Sequence, residues 1–530
     1  MRRNNIVIAG LVVIGVLVVV IAALVVRADS VRAPEGGPAT ATPARRDAGA
    51  IARENAKPAA TDWHIDRPAL NGEIEAYAGE VSLQAGETLD LYVSTKIAGA
   101  KYEADVYRMG WYGGAGARNV RSIKNIDGEN QGRWDPLRGL QDCKSCKVDA
   151  DTLLVEANWK RSLQIKVDKD WISGYYLVKL HDLKSDTSTY AIFIVRDDAS
   201  DAPILVQAST NTWQAYNTWG DASLYGSFGA DRKYVAKTRR AYRVSYDRPY
   251  DPSMRDEKNY GAGEFFAWEY NFVRWAESQG YDMSYTTNVD VSLGTAPMNK
   301  HKLFVSLGHD EYWTKQQRDA VEGARDAGVN VAFLSGNEAY WQGRLEASST
   351  GVNARVLTVY KDAALDPLAR TNSKETTVLF ADPPVSRPQS MLSGVAYGSN
   401  TQPDYIAWRP AALDSWIFTG SGITGQDSFP GIVGYEYDHQ AATDQRPAGV
   451  QIVGSSPVSG FLGSDTSVSA LYVAPSGATV FAAGTVAWAW GLDDFGHEGR
   501  GAFADDELRQ VTKNILNRLG APPAPPAAGG

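Results

Sequence analysis

Two short segments of the sequence concentrate side chains that can bind a metal ion or move protons. Residues 308–313 read Gly-His-Asp-Glu-Tyr-Trp, and residues 335–338 read Ser-Gly-Asn-Glu. His309 can take up or deliver a proton, since the ordinary pKa of imidazole is about 6.5. Glu311 offers a hard anionic oxygen that can bind a cation or act as an acid or base. A histidine, three carboxylates and two large aromatic rings in these segments indicate a site.

The surrounding elements predict where these segments lie. The apolar runs 303–307 and 329–334 each resemble a buried strand, and each is followed by one of the two segments. Between them, Thr314 and Gln317 form a capping-box pattern, so we expect a helix to begin at Lys315. A strand–helix–strand unit of this kind has parallel strands. Both segments should therefore lie at the carboxyl edge of the sheet, where ligands bind in open α/β folds.

Three further stretches are rich in hydroxyl groups and aromatic rings. Residues 209–220 read Ser-Thr-Asn-Thr-Trp-Gln-Ala-Tyr-Asn-Thr-Trp-Gly and directly follow a predicted strand at 204–207. Residues 243–250 contain Ser-Tyr-Asp, and residues 484–491 follow a late predicted strand. We expect the first stretch to lie at the same sheet edge as residues 308–313.

The order and spacing of these motifs resemble a known family. The 209–220 run, Ser-Tyr-Asp at 245–247, the 308–313 segment and Gly-Asn-Glu-Ala-Tyr-Trp at 336–341 are similar to the carboxyl-terminal domain of the N,N-dimethylformamidase large (beta) subunit family. The resemblance covers about 202–519. It implies a glutamine-amidotransferase-like α/β fold with a mainly parallel sheet, and a hydrolase that cleaves the C–N bond of linear amides.

The resemblance also implies a site built around a single ferric ion, Fe(III), held by two tyrosines and a glutamate. Glu311 matches the glutamate, and Tyr216 matches the first tyrosine. Tyr246 is expected to be the second, with Tyr250 as its rival. Phenolates and carboxylates are hard oxygen donors that suit Fe(III), and such an ion polarises a carbonyl and lowers the pKa of water. The hypothesis requires three oxygens that are distant in the sequence to meet at one rim of the sheet.

His309, Glu311 and Asn337 are the expected catalytic residues. The resemblance places His309 near the metal, where it could transfer protons. Asn337 falls in the motif at 336–341 and would orient the substrate or line the pocket. Asp310 stands where the family often has proline, which leaves the conformation of this loop open.

The same residues have other interpretations when they are taken alone. Tyr216 suits ordinary core packing, and Glu311 suits the amino end of a helix. An alternative hypothesis is a non-catalytic cell-envelope protein that binds carbohydrate or peptide, with Trp111 and Tyr112 as stacking residues. A third is a carbohydrate-active hydrolase that uses Glu311 and Glu338 as paired carboxylates.

The amino-terminal residues predict export. Residues 6–26 are uncharged and almost wholly aliphatic, which is long enough to span a bilayer. With two arginines before them, they predict a transmembrane signal anchor with residues 1–5 in the cytoplasm; a cleaved signal is the alternative. Residues 27–60, rich in Ala, Pro and Arg, are expected to form a flexible linker. Together these features predict a single-pass plasma-membrane protein whose bulk is extracytoplasmic.

A chain of 530 residues is too long for a single core, and its length predicts two or three domains. Short alternating strands punctuated by glycines predict an all-β sandwich over 61–198. Strands alternating with helices predict an α/β domain over 202–519, with a β-rich insertion at about 352–470. The Pro-, Ala- and Gly-rich residues 520–530 are expected to be disordered.

The net charge and the two cysteines limit the kinds of partner and of reaction mechanism that the sequence allows. The net charge of -9 argues against nucleic acid as a partner. Cys143 and Cys146 form a lone Cys-x-x-Cys, for which a local disulfide is favoured over a redox pair or half a zinc site. A glutamine-amidotransferase mechanism needs a cysteine nucleophile and is excluded, because neither cysteine lies in the α/β domain. We expect a small amide substrate, and either a small partner subunit, which the family's amidase uses, or a homo-oligomer.

Overall fold

The computed structural model of the chain describes residues 49–237, 239–253, 259–460, 463–496 and 502–523. These residues belong to the compact unit Arg45–Gly530, which is mostly β-sheet with few helices. The predicted cytoplasmic residues 1–5, the predicted anchor at 6–26 and most of the predicted tail lie outside the described residues.

Within the described ranges, no helix is long and apolar enough to cross a membrane. This finding contradicts the predicted single-pass localisation in the plasma membrane. The end of the predicted flexible linker is a docked helix, α1 (Ala50–Asn55). Glu54 accepts a 2.6 Å hydrogen bond from Nε of Arg118, and Nδ2 of Asn55 donates to Oε2 of Glu277 at 2.8 Å. These polar side chains fix the helix because each finds a partner on the folded body.

Two facing sheets and two short two-stranded sheets form the first part of the fold. Its strands are β1 (Ile74–Ala78), β2 (Ser82–Gln84), β3 (Thr88–Thr95), β4 (Lys101–Met109), β5 (Ala117–Asp127), β6 (Arg133–Asp135), β7 (Gly139–Gln141), β8 (Lys147–Val148), β9 (Val155–Glu156), β10 (Leu163–Lys166), β11 (Gly174–Asp182) and β12 (Thr187–Arg196). One facing sheet has the order β1–β3–β10, the other has the order β2–β12–β11–β4–β5, and β6–β7 and β8–β9 form the two short sheets. Side chains alternate between the two faces of a strand. Leu89, Leu91 and Val93 of β3 therefore share one face, and they are buried between the facing sheets. A disulfide joins Cys143 and Cys146 in the connection between β7 and β8, with their Cα atoms 5.3 Å apart.

The second part is built on a nine-stranded sheet. Its elements and those around it are β13 (Ile204–Ala208), α2 (Thr210–Tyr216), β14 (Gly226–Phe228), β15 (Tyr234–Ala236), β16 (Arg243–Ser245), α3 (Phe265–Trp268), α4 (Tyr270–Ser278), β17 (Met283–Thr287), α5 (Asn288–Leu293), β18 (Leu303–His309), β19 (Tyr312–Thr314), α6 (Lys315–Asp326), β20 (Asn330–Gly336), β21 (Trp341–Glu346), β22 (Val356–Thr358), α7 (Ser390–Ser393), β23 (Ala396–Trp408), β24 (Phe429–His439), β25 (Gln451–Gly460), β26 (Gly463–Val473), β27 (Thr479–Ala482) and α8 (Asp506–Leu519). The order is β17–β13–β18–β20–β27–β26–β25–β23–β24.

This sheet is parallel in only one half. The strands from β17 to β27 pair in parallel. From β27 to β24 every pairing is antiparallel. The predicted β-rich insertion supplies β23, β24 and β25, which continue the central sheet. The expectation of a mainly parallel sheet therefore holds for the half that carries the strand–helix–strand unit.

That unit has the predicted form. The hydroxyl of Thr314 accepts a 3.0 Å hydrogen bond from the backbone N–H of Gln317, and α6 begins at Lys315. Gly328 has a φ of 99°, as expected for a residue just after a helix. The strands β18 and β20 pair in register up to His309 and Gly336, so the two segments that follow them are neighbours.

The sandwich and the central sheet share one apolar core. Trp63 and Tyr175 from the first part are buried in the same cluster as Phe265, Trp268 and Trp275 from α3 and α4. The rings of Tyr175 and Phe265 stack with 4.5 Å between centroids. Burial of large aromatic side chains at this contact holds the sandwich against the helices that cover the sheet.

Candidate active site

Glu311 lies two residues after the end of β18 and accepts hydrogen bonds from two phenol groups. The hydroxyl of Tyr216 donates to its Oε2 at 2.9 Å, and the hydroxyl of Tyr225 donates a short hydrogen bond to its Oε1. The rings of Tyr216 and Tyr225 stack with 4.4 Å between centroids. Glu311 is 2% exposed. Three oxygen-bearing side chains, from α2, from the loop after it and from the end of β18, therefore converge at one point.

The predicted second tyrosine lies elsewhere. The hydroxyl of Tyr246 donates to Oδ1 of Asn211 at 2.7 Å, and its ring packs with Val289 and Ala354. Tyr250 stands edge-on to Trp213, with ring centroids 6.4 Å apart. Among the described residues, no hydrogen bond joins either tyrosine to Glu311.

Tyr225 takes the position that Tyr246 was expected to fill. The backbone N–H of Leu224 donates to the carbonyl of Ala215 at 2.9 Å, so the chain folds back and sets Tyr225 beside Tyr216. The stretch between these tyrosines has no periodic pattern from which the reversal could be predicted. The one available signal was closeness in the sequence: Tyr225 lies nine positions after Tyr216, in a segment that returns to the same sheet edge.

His309 connects this group to a second glutamate. Its Nε2 lies 2.8 Å from Oε2 of Glu436 and 3.3 Å from Oε2 of Glu311, while its Nδ1 is 3.3 Å from the hydroxyl of Tyr435. Burial alone would lower the pKa of His309, but the charges of Glu436 and Glu311 outweigh it and raise the pKa to about 10. In return His309 lowers the pKa of Glu311 against the opposing effect of burial. The His309 imidazolium and the Glu311 carboxylate therefore stabilise each other's charged forms.

Asn337 holds Glu436 in this arrangement. Its Nδ2 donates to Oε2 of Glu436 at 2.9 Å, and its backbone N–H donates to Oδ1 of Asp438 at 3.0 Å. Asn337 has a φ of 53°, in the left-handed region that asparagine tolerates better than most residues. Glu436 lies on β24, within the predicted insertion, and no motif in the sequence singled it out.

A half-buried lysine completes the group. Nζ of Lys361 lies 3.7 Å from the centroid of the Tyr225 ring and 4.7 Å from that of Trp341. Burial lowers the pKa of Lys361 to about 7, against the opposing pull of Glu311. Sequence reasoning missed this residue, because a lone lysine in an irregular loop carries no pattern.

The residues on which the two carbohydrate hypotheses depend are buried or used in internal packing. Glu338 is 1% exposed, and burial together with Asp438 raises its pKa well above the ordinary value. Tyr112 is also buried, and its hydroxyl donates to Oε1 of Glu54 at 3.0 Å. Trp111 lies under the guanidinium of Arg274, 5.2 Å from its carbon to the ring centroid. The stacking surface expected for carbohydrate is therefore used for internal packing.

The donor set at Glu311 fits a hard cation. Within the part of the chain that is described, no three or more His, Cys, Asp or Glu side chains are grouped so as to hold a metal ion, so a metal there would need the phenol oxygens. Burial and the charge of Glu311 raise the pKa values of Tyr216 and Tyr225 well above the ordinary value. Both phenols stay protonated toward the carboxylate unless a cation compensates their charge. A trivalent ion matches two phenolates and one carboxylate in charge and in hardness.

A known protein family matches most of the chain. The sequence model described as N,N-dimethylformamidase beta subunit-like, C-terminal, matches residues 103–502. The match begins in β4 and covers both the central sheet and every residue of the group around Glu311. No curated protein matches the chain. The chain belongs to the N,N-dimethylformamidase beta subunit-like family, as the resemblance of its motifs predicted.

Proposed function

We propose that the protein is a metal-dependent hydrolase of C–N amide bonds, with Tyr216, Tyr225 and Glu311 as the ligands of a ferric ion. The observation that carries this proposal is the convergence of two phenols on the two oxygens of one buried carboxylate. Membership of a dimethylformamidase-like family supports hydrolysis of an amide. When bound, the ion would supply Lewis acidity toward an amide carbonyl and lower the pKa of water.

His309 and Glu436 would handle the protons. The raised pKa of His309 keeps a proton on its ring at neutral pH, which it can deliver to the leaving nitrogen as the C–N bond breaks. Glu436, 2.8 Å from His309, can accept a proton from the water that attacks the carbonyl carbon. Asn337 orients Glu436 through its side-chain amide and restricts the directions from which that carboxylate can act.

Aromatic rings would restrict the substrate to small amides. Half-buried Tyr340 and Tyr397 lie with their ring centroids 4.9 Å apart. Burial, followed by the charges of Glu311 and Glu436, raises the pKa of Tyr340 to about 12, which places this ring in the electrostatic field of the site. Flat apolar walls next to polar catalytic groups favour small substrates with N-alkyl groups and disfavour bulky polar ones.

The proposed function carries with it a domain organisation and an assembly. The parallel half of the central sheet would belong to a glutamine-amidotransferase-like α/β domain at 202–519, and residues 61–198 would form a separate β-sandwich domain before it. The family is named for a beta subunit, so a small partner subunit is proposed, with a homo-oligomer as the other assembly.

The experiment uses the full chain, purified without added metal and then supplied with Fe(III), Fe(II) or Zn(II). Metal content is measured by elemental analysis, and amine release is followed with formamide, N-methylformamide and N,N-dimethylformamide. The expected result is one iron per chain and amide hydrolysis that chelation removes and iron restores. A folded protein that binds no metal and releases no amine from any of the three substrates would refute the proposal.

A further inference from the structure

The side chain of Asn288 bridges the two segments that carry Tyr216 and Glu311. Asn288 is the first residue of α5 and is fully buried. Its Nδ2 donates to Oδ1 of Asp310 at 2.8 Å, and its Oδ1 accepts from the backbone N–H of Asn211 at 3.0 Å. One amide therefore acts as a donor toward one segment and as an acceptor toward the other.

On one side the bridge fixes α2, the helix that ends at Tyr216. Asn211 makes two further buried hydrogen bonds: its Nδ2 donates to the carbonyl of Tyr312 at 3.0 Å, and its Oδ1 accepts from Tyr246. The helix thereby gains a second link, to β19, the strand that directly follows Glu311. Tyr246 acts here through Asn211, which gives this buried tyrosine a structural role.

On the other side the bridge fixes the residue before Glu311. Oδ2 of Asp310 accepts hydrogen bonds from Nε2 of Gln207 at 2.6 Å and from the hydroxyl of Ser306 at 2.9 Å. The carbonyl of Asp310 accepts from the backbone N–H of Ala339 at 3.0 Å, which ties in the segment of Asn337. Asp310 has no exposed surface, so each of these bonds forms away from water, where an unmade bond costs most.

We propose that Asn288 is a positioning residue that sets the spacing between Tyr216 and Glu311 by holding Asn211 and Asp310 at fixed separation. The inference rests on the proposed function, because the spacing matters for chemistry only if these oxygens share a cation. An amide is required at this position, since a carboxylate lacks the donor that Asp310 needs and a hydrocarbon lacks both groups.

A reciprocal exchange tests this inference. Asn288→Asp sets an acceptor against the Asp310 carboxylate. Asp310→Asn leaves the new amide unable to satisfy Asn288, Gln207 and Ser306 at once. In the double variant N288D/D310N the amide at 310 can donate to the carboxylate at 288, while its oxygen still accepts from Gln207 and Ser306. The double variant also keeps the total charge of the wild type.

Two readouts are taken on full-length protein at equal folded fraction: the dissociation constant for Fe(III), and amide hydrogen exchange in segments 209–216 and 309–313 of the metal-free protein. Each single variant is expected to bind iron about tenfold more weakly, as for the loss of one buried hydrogen bond, and to exchange faster in both segments. The double variant is expected to return to within about twofold of the wild type. Asn299→Asp, the same change at an exposed position, is the control.

Exchange that increases only in α5, or a double variant as impaired as the two single ones, would overturn the inference. If the wild type binds no iron, the proposed function fails, and the exchange measurement alone then decides whether Asn288 couples the two segments.

Discussion

The hydroxyl of Tyr225 donates a hydrogen bond to Oε1 of Glu311, a residue 86 positions later in the chain. Tyr216 occupies the other oxygen of the same carboxylate at 2.9 Å, and the two rings stack against each other. Since stacking fixes the rings and the carboxylate fixes the hydroxyls, the three groups form one rigid unit. This unit, and not the predicted trio with Tyr246, is the arrangement that variants should test.

Removal of either phenol should abolish tight iron binding. Tyr225→Phe and Tyr216→Phe each delete one hard oxygen donor and leave the ring in place, so the fold should persist while the stoichiometry of iron falls well below one per chain. Elemental analysis and thermal unfolding of each variant provide the measurement. Tyr250→Phe is the matched control, because that tyrosine packs against Trp213, and it should retain its iron. Stoichiometric iron in Tyr225→Phe would show that this residue is not a ligand.

Replacement of Glu436 should impair catalysis without loss of metal. Glu436→Gln keeps the shape and the hydrogen bond from Asn337 but removes the charge that lies 2.8 Å from His309. The loss of a proton-transfer group should lower kcat by about 10²–10⁴-fold, with iron content unchanged. Steady-state kinetics on an amide substrate measure this, with Glu87→Gln at an exposed position as the control. An unchanged kcat would remove Glu436 from the mechanism.

The parts of the site that were predictable lie on regular elements. Thr314 and Gln317 marked the start of α6, and the apolar runs on either side marked β18 and β20, so the position of His309 and Glu311 at a sheet edge followed from local patterns. Tyr216 was found by its motif. Each of these signals spans only a few residues, so each can be recognised in a single stretch of sequence.

The missed parts depend on contacts between distant segments. Glu436 reaches His309 from an antiparallel strand more than 120 positions away, and Lys361 meets Tyr225 through an irregular loop. The prediction of Tyr246, with Tyr250 as its rival, missed Tyr225 for the same reason, since the chain reversal that sets Tyr225 beside Tyr216 depends on the backbone hydrogen bond between Leu224 and Ala215. Strand pairing of this kind is set by the packed core, and no local propensity encodes it.

Glu75 should make the protein less stable as the pH rises from mildly acidic to slightly basic. Burial raises the pKa of Glu75 to about 8, even though Trp219 and Trp134 donate hydrogen bonds to it. The unfolded chain releases this proton near pH 4.5. The stabilising contribution is thus fully present below about pH 4.5 and is lost as the pH rises through about 8.

Thermal unfolding of the wild type and of Glu75→Gln between pH 4.5 and 8.5 measures this contribution. The difference between the two melting temperatures should change in favour of the variant as the pH rises, because the amide has no proton to lose. Glu129→Gln, at an exposed position, should track the wild type. A pH-independent difference between wild type and Glu75→Gln would contradict the assignment.

A buried ion pair should hold the sandwich to the central sheet. Nη2 of Arg108 on β4 lies 2.8 Å from Oε1 of Glu277 on α4, and both side chains are fully buried. Glu277→Ala leaves the guanidinium buried without its carboxylate, which should lower the free energy of unfolding by about 3–5 kcal/mol. Arg67→Ala breaks the exposed pair with Asp186, in which the side chains of Arg67 and Asp186 are 64% and 63% exposed, and should change the free energy of unfolding by less than about 1 kcal/mol. Chemical denaturation measures both variants.

Arg108 and Glu277 belong to different halves of the fold, so limited proteolysis of Glu277→Ala should cleave near the 197–203 connection. Equal stability losses in the two variants would show that the buried pair does not join the halves.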